Sequence, residues 1–257
     1  MSKRMDLNCD MGESFGVYKY GADEEIIAEI TSANIACGWH AGDPNVMNHT
    51  IELCKRNSVS AGAHPGFPDL VGFGRRNMNI APKDVRNDVI YQLGALQGFA
   101  KSHGVPLQHV KAHGNLYNMA AKDQAMAAAI AEAVATVDSS LILVGLSGSL
   151  LCLEGKAAGL KVAQEVFADR GYRRDGSLVP RGEPGAMIHS PEEAAKRMIQ
   201  LMEKGFLFAN DGSALELEAH TICMHGDTPG AASYAKAIRM QLEQMGVEIV
   251  TMSEVIR

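Results

Sequence analysis

Aromatic residues make up only 5% of this 257-residue chain, which has a single tryptophan. Long hydrophobic runs are missing too. The longest helical apolar stretch, residues 125–135, is interrupted by Glu132 and falls well short of the roughly 20 residues that a membrane span needs. The start, Met1-Ser2-Lys3-Arg4-Met5-Asp6, is basic but is not followed by the apolar region of a secretory signal. Five cysteines, Cys9, Cys37, Cys54, Cys152 and Cys223, are odd in number and form no C-x-x-C pair, which excludes a disulfide framework and a structural zinc site and points to a reducing cytoplasm. The formal charge of -6 comes without a basic cluster, so nucleic acid and anionic membrane surfaces have no electrostatic footprint here. A small-molecule substrate is expected.

Nucleotide motifs are absent as well. The stretch 148–157 (GSLLCLEGKA) has two residues too many for a phosphate-binding loop and lacks its hydroxyl, and no G-x-G-x-x-G follows a strand. Neither H-E-x-x-H nor a paired H-x-x-x-H falls on a segment of helical period.

What remains, 46% hydrophobic and 21% charged residues with 26 glycines, describes an ordinary globular enzyme, and the length suits one β/α barrel domain over 1–257. Short apolar runs at 5–9, 33–37, 59–63, 109–112, 141–144, 161–166 and 221–224 read as buried strands. Between them lie helical stripes such as Val85, Val89, Leu93 and Leu96, then Ala195, Met198, Ile199 and Met202, and Ala235, Ile238, Leu242 and Met245. Alternation of this kind implies right-handed βαβ units and a parallel sheet. A further run at 247–251 leaves a closed eight-stranded and an open seven-stranded barrel both open, and 206–217 reads as a hairpin outside it. Asp43-Pro44 and Thr228-Pro229 mark helix starts whose free N–H groups would suit an anion, and Ser190-Pro191-Glu192-Glu193 reads as a capping box.

Six of the apolar runs end in small residues mixed with acids or histidines, and in a parallel barrel such ends converge on one face. Asp10 and Glu13 follow the first run, His40 and Asp43 the second, and His64 the third. Lys111, His113 and Asn115 close the fourth, Asp169 and Arg170 follow the run at 161–166, and His225 and Asp227 close the last. Imidazole and carboxylate together suit acid and base work or a divalent metal, for which Asp10, His40 and His64 are the candidates. Each also has a plain alternative: Asp10 and Asp227 as helix caps, Lys111 as a structural partner of Asp10 or Glu165. Arg75, Arg76, Arg170 and Arg181 are candidates to clamp a carboxylate or phosphate.

Several motifs, 6–13 (DLNCDMGE), 33–43 (ANIACGWHAGD), 62–66 (GAHPG), 72–76 (GFGRR), 110–117 (VKAHGNLY), 175–181 (DGSLVPR) and 224–227 (MHGD), closely resemble the LamB/YcsF family, the A subunits of bacterial ATP-dependent 5-oxoprolinases. The resemblance runs end to end. It implies an irregular seven-stranded parallel β/α barrel, TIM-like and related to the glycoside hydrolase/deacetylase superfamily. It also implies hydrolytic opening of 5-oxo-L-proline to L-glutamate coupled to ATP hydrolysis, with ATP as co-substrate, Mg²⁺ for the ATP, and subunits B and C as partners. Self-association into a homo-oligomer is compatible with this. The expected catalytic groups are Asp10, His40, His64, Lys111, His113 and His225, with Glu13, Arg75, Asn115, Arg181 and Asp227 on the substrate. Asp10 or His64 would activate water, Lys111 or an arginine would stabilise the oxyanion, and His113 or His225 would protonate the leaving nitrogen. The alternatives are a metal-dependent amidase or deacetylase without ATP, and a non-catalytic lactam-binding protein that serves a catalytic partner.

Overall fold

The computed structural model describes residues 3–224 and 230–256. It opens with β1 (Lys3–Met11) and a short helix, α1 (Asp23–Ile26), followed by β2 (Ser32–Ala36), α2 (Pro44–Asn57), β3 (Ser60–His64), α3 (Pro82–His103) and β4 (Leu107–Lys111). Next come α4 (Gly114–Ala120), α5 (Gln124–Val137), β5 (Ile142–Leu146), α6 (Leu150–Ala157) and β6 (Lys161–Phe167). The chain finishes with α7 (Pro191–Lys204), β7 (Phe206–Phe208), β8 (Ala214–Glu216), β9 (Thr221–Met224), α8 (Ala231–Gln244), β10 (Val247–Ile249) and α9 (Met252–Val255). Among the described residues no helix is long and apolar enough to cross a membrane.

Seven parallel strands close a barrel in the order β1-β2-β3-β4-β5-β6-β9, with β9 pairing back onto β1. The run expected as an eighth strand does form β10, but it pairs only with Lys3–Met5, upstream of Asp6–Cys9 where β9 pairs. A nine-residue β1 is long enough to serve two neighbours in succession, so the barrel closes without β10. The antiparallel β7–β8 hairpin forms a separate two-stranded sheet, as its turn residues predict.

Strand alternation sorts each side chain. Leu7, Cys9 and Met11 of β1 belong to the large apolar core shared with the helices, while Asp6, Asn8 and Asp10 take the opposite, inner face. The helix stripes fill the outer layer: Val85, Val89, Leu93 and Leu96 of α3 are all buried, each contributing about 1.5–3 kcal/mol relative to exposure. Of the last expected stripe Met245 is exposed, because α8 ends at Gln244 and the chain turns away there. α8 begins at Ala231 behind Gly230, and the Thr228-Pro229 start signal lies outside the described residues. At the start of α2, Asp43 accepts hydrogen bonds from the Asn45 and Val46 N–H groups; this N-terminus is capped from within, and the donors expected to suit an anion are already taken. Ser190 likewise caps α7 through the Glu193 N–H.

Inside, the barrel is polar rather than lined by the branched aliphatic layers usual for such folds. Asp6 accepts from Thr31, Ser32 and Thr221. One layer up, the Asn8 amide donates to Glu165 (2.9 Å) and Thr221 (2.6 Å), and its oxygen accepts from Asn34 (2.7 Å). His109 donates through Nε2 to the Asn34 oxygen (2.8 Å). Gly62 makes room for that ring, since a Cβ there would lie 2.2 Å from His109 Nε2. An apolar sector, Ile142, Val144 and Ala163, packs with Met252 from α9.

Candidate active site

Above the polar interior, the strand C-termini hold a cleft of about 760 Å³. Asp10, His64, Lys111 and His113 lie at its base, while Arg75, Arg170, Arg173, Arg181 and Asn115 line its walls. Lys111, almost fully buried, ties the strands together. Its ammonium lies 2.8 Å from Glu165, 3.1 Å from Asp10, 3.2 Å from Asn8 Oδ1 and 3.1 Å from Cys223 Sγ. Burial opposes that charge, yet Asp10, Cys223 and Glu165 outweigh it and hold the amine well above its usual range. Both structural partnerships weighed for Lys111 therefore exist, and the lysine still lines the cleft. Tyr117, which sequence reasoning passed over, donates to the other Glu165 oxygen at 2.6 Å.

Asp10 is not a helix cap. It sits in β1, accepts from Asn34 at 2.9 Å, and places Oδ2 3.3 Å from His64 Nε2. Around it, four expected residues converge. Glu13, His40, His64 and His113 are all buried, and one ligand atom from each lies within 4.8 Å of the others. Glu13 Oε1 is 3.4 Å from His40 Nε2 and 3.6 Å from His113 Nδ1. The His40 and His113 rings stack in parallel at 3.6 Å, and the His64 ring stands perpendicular to both. Close approach of backbone makes this possible: a Cβ on Gly66 would lie 2.6 Å from His40 Nδ1, and one on Gly74 would lie 2.8 Å from the His113 ring. Gly74 also has a φ of +63°, which holds the loop after β3 against α4, whose Asn115 N–H bonds the Gly74 carbonyl.

Burial, followed by the neighbouring imidazoles, holds His40 and His113 well below the ordinary histidine pKa. His109 is pushed down to about 3 by burial and then Lys111. His109 and His113 do stand four apart, the spacing sought as a paired ligand motif, but His109 turns into the polar interior toward Asn34 and away from the cluster. The Cys9, Cys37, Cys54, Cys152 and Cys223 thiols are all buried, and burial raises each.

The arginines divide by role. Arg75 lies over the Phe73 ring at 4.9 Å on the cleft wall, and Arg181 lines the same cleft. Arg76 instead pairs with buried Asp69, pinning the loop that carries Gly74. Arg170 donates to the Val179 and Ala186 carbonyls and holds the 178–187 segment over the cleft. Asn115 donates to Asn77 at 2.7 Å. Glu13 and His40, buried in the imidazole cluster, do not line the cleft. His225 and Asp227 lie outside the described residues.

A closed parallel β/α barrel with a carboxylate, an amine and imidazoles gathered at its strand C-termini is an enzyme-type architecture. The chain belongs to the LamB/YcsF family, whose model matches residues 5–257. It is 54% identical to the A subunit of 5-oxoprolinase from Pyrococcus horikoshii, over 99% of this chain and 100% of that one. To the corresponding 5-oxoprolinase A subunit of Bacillus subtilis it is 51% identical, over 98% of each chain. The crystal structure of the lactam utilization protein from Thermus thermophilus superposes with a TM-score of 0.91 at 48% identity, covering 96% of this chain and 99% of that one.

Proposed function

We propose that this chain is the lactam-binding and hydrolytic component of a cytoplasmic, ATP-dependent 5-oxoprolinase working with subunits B and C. The names of its relatives supply the substrate. The observation that carries the chemistry is Lys111, held between Asp10 and Glu165 at the base of a cleft walled by Arg75, Arg170, Arg173 and Arg181. Such walls suit a small anion, and 5-oxoproline carries a carboxylate for Arg75 and Arg181 to clamp.

A five-membered lactam is a stable amide, so its opening gains from transfer of the ATP γ-phosphoryl group to the carbonyl oxygen, which makes the ring carbon an electrophile. With no phosphate-binding loop motif in this sequence, the ATP and its Mg²⁺ are assigned to the partner subunits or to a site shared with them. Asp10 then takes a proton from the attacking water, and Lys111 places positive charge beside the phosphorylated oxygen as the displaced electron pair moves to the ring nitrogen. The C–N bond breaks and Asp10 returns its proton to the nitrogen. His113 is less suited to that delivery, because its Nε2 is engaged by the Phe73 carbonyl at 2.8 Å. A second water hydrolyses the acyl phosphate to glutamate and phosphate.

The test is reconstitution with subunits B and C, measuring glutamate and ADP together. Asp10→Asn is expected to lower glutamate formation about 10²–10⁴-fold in a folded complex; full ATP-dependent turnover by this variant would overturn the assignment. The buried imidazole cluster favours one competing reading, an amidase that needs metal and no ATP. Lactam hydrolysis by the isolated chain, abolished by chelation and indifferent to ATP, would put that reading in its place.

A further inference from the structure

The hydrogen bonds around His64 and His113 fix where their protons sit. A carbonyl oxygen can only accept, so His64 Nδ1, 2.7 Å from the Lys111 carbonyl, carries its hydrogen there. His113 Nε2, 2.8 Å from the Phe73 carbonyl, does the same. In the neutral rings this leaves His64 Nε2 and His113 Nδ1 as bare lone pairs, and these two atoms face each other at 3.0 Å. Carboxylate oxygens close the ring around them: Asp10 Oδ2 lies 3.3 Å from His64 Nε2, and Glu13 Oε1 lies 3.6 Å from His113 Nδ1. Electron pairs thus converge on one small volume. Beside it His40, with no solvent exposure, has neither ring nitrogen in a hydrogen bond, an arrangement that calls for a water or an ion.

We infer that Glu13, His64 and His113, with His40 as a fourth ligand, bind one divalent transition metal of the zinc type. Tetrahedral bonds of about 2.05 Å put neighbouring ligand atoms about 3.4 Å apart; the separations here are 3.0, 3.4 and 3.6 Å. Three imidazoles and one carboxylate suit zinc or a similar borderline ion and not magnesium or calcium. Each of the two tied histidines donates its remote N–H to a backbone carbonyl, the usual outer support of a metal-bound imidazole. His40, stacked flat on His113, joins by tilting its ring. The ion would lie beside Asp10 at the base of the cleft, where it would act as a Lewis acid on water or on the lactam oxygen. That role rests on the lactam reading above; binding of the ion does not.

The experiment needs no turnover. The full chain is stripped with a chelator, then titrated with Zn²⁺ and, separately, with Co²⁺ as a spectroscopic probe, with bound metal measured by elemental analysis after desalting. About one equivalent per chain and a four-coordinate Co²⁺ visible spectrum are expected. Glu13→Gln and His113→Ala should each weaken Zn²⁺ binding by at least about 100-fold. Arg86→Ala on α3, where the guanidinium pairs with Glu132, should keep full stoichiometry. Circular dichroism checks that each variant is folded, and conservative His113→Gln replaces His113→Ala if the latter is not. Folded wild-type chain that binds neither ion stoichiometrically, or a stoichiometric site unmoved by either substitution, overturns the inference. A His64–His113 pair seen by ¹⁵N NMR to share a proton in the presence of excess Zn²⁺ would also do so. Failure of the lactam reading shows separately, as absence of glutamate from the reconstituted complex that still carries its metal.

Discussion

The two ends of the barrel interior are built from the same residue types and differ in how completely they are paired. In the lower layers Asp6, Asn8, Asn34 and Thr221 are joined in a closed net, with hydroxyl donors on the Asp6 carboxylate. At the upper end Asp10, Glu13 and the three histidines bring acceptor atoms against one another, and neither ring nitrogen of His40 makes a hydrogen bond. Both ends are buried and both are polar. A buried polar group without a partner costs about 1–3 kcal/mol; in the lower layers His109 Nδ1 lacks one, so that end is the more fully paired of the two and serves stability, while the upper end is where a ligand has work to do.

Lys111 is the residue on which the two ends meet, and its removal should have the largest effect. Lys111→Met leaves fully buried Glu165 and half-buried Asp10 without their counter-charge, and about 3–5 kcal/mol of stability should go. Urea unfolding measures it, and adding Glu165→Gln should restore part of the loss. A loss below about 1 kcal/mol would erase the distinction between the ends.

The lower end makes its own prediction through pH. Burial, only partly offset by the Ser32, Thr221 and Thr31 hydroxyls, raises the Asp6 carboxyl from 3.8 to about 6. Its folded pKa lies above the unfolded one, so the folded state binds the extra proton. Stability from this group is fully present below the unfolded value and is lost as pH rises through about 6, an effect of about 3 kcal/mol. Asp6→Asn should flatten the stability profile across that window, read as unfolding midpoints at a series of pH values. A smaller effect is expected at Gly62, where Ala would press its Cβ against the His109 ring. About 1–3 kcal/mol should be lost to overpacking, with the metal affinity of the upper end unchanged. If Gly62→Ala altered that affinity, the two ends would not be separable.

Much of this could be read along the chain. All seven barrel strands fall where short apolar runs end in small and polar residues, because burial on both faces and a strand-tip turn each leave a local mark. The helix caps at Asp43 and Ser190 were legible for the same reason. Distances were not. Nothing in the order of residues distinguished Glu13 and His40, which do not line the cleft, from Asp10 and His64 on its base, and nothing told Arg75 from its neighbour Arg76, which is committed to Asp69. Tyr117 reads as a core aromatic on a helix, and its bond to Glu165 depends on packing between α4 and β6.

The sequence by itself determined the βαβ rhythm, the family, and which residue types gather at the strand ends, since these depend on local periodicity and turn chemistry. Tertiary structure alone decided that seven strands close while β10 is left beside β1, that Lys111 bridges two carboxylates, and that four side chains from separate strand ends crowd to within 4.8 Å. Those outcomes turn on the register and curvature of strands distant in the chain. Barrel closure sets them, and no short window of residues encodes them.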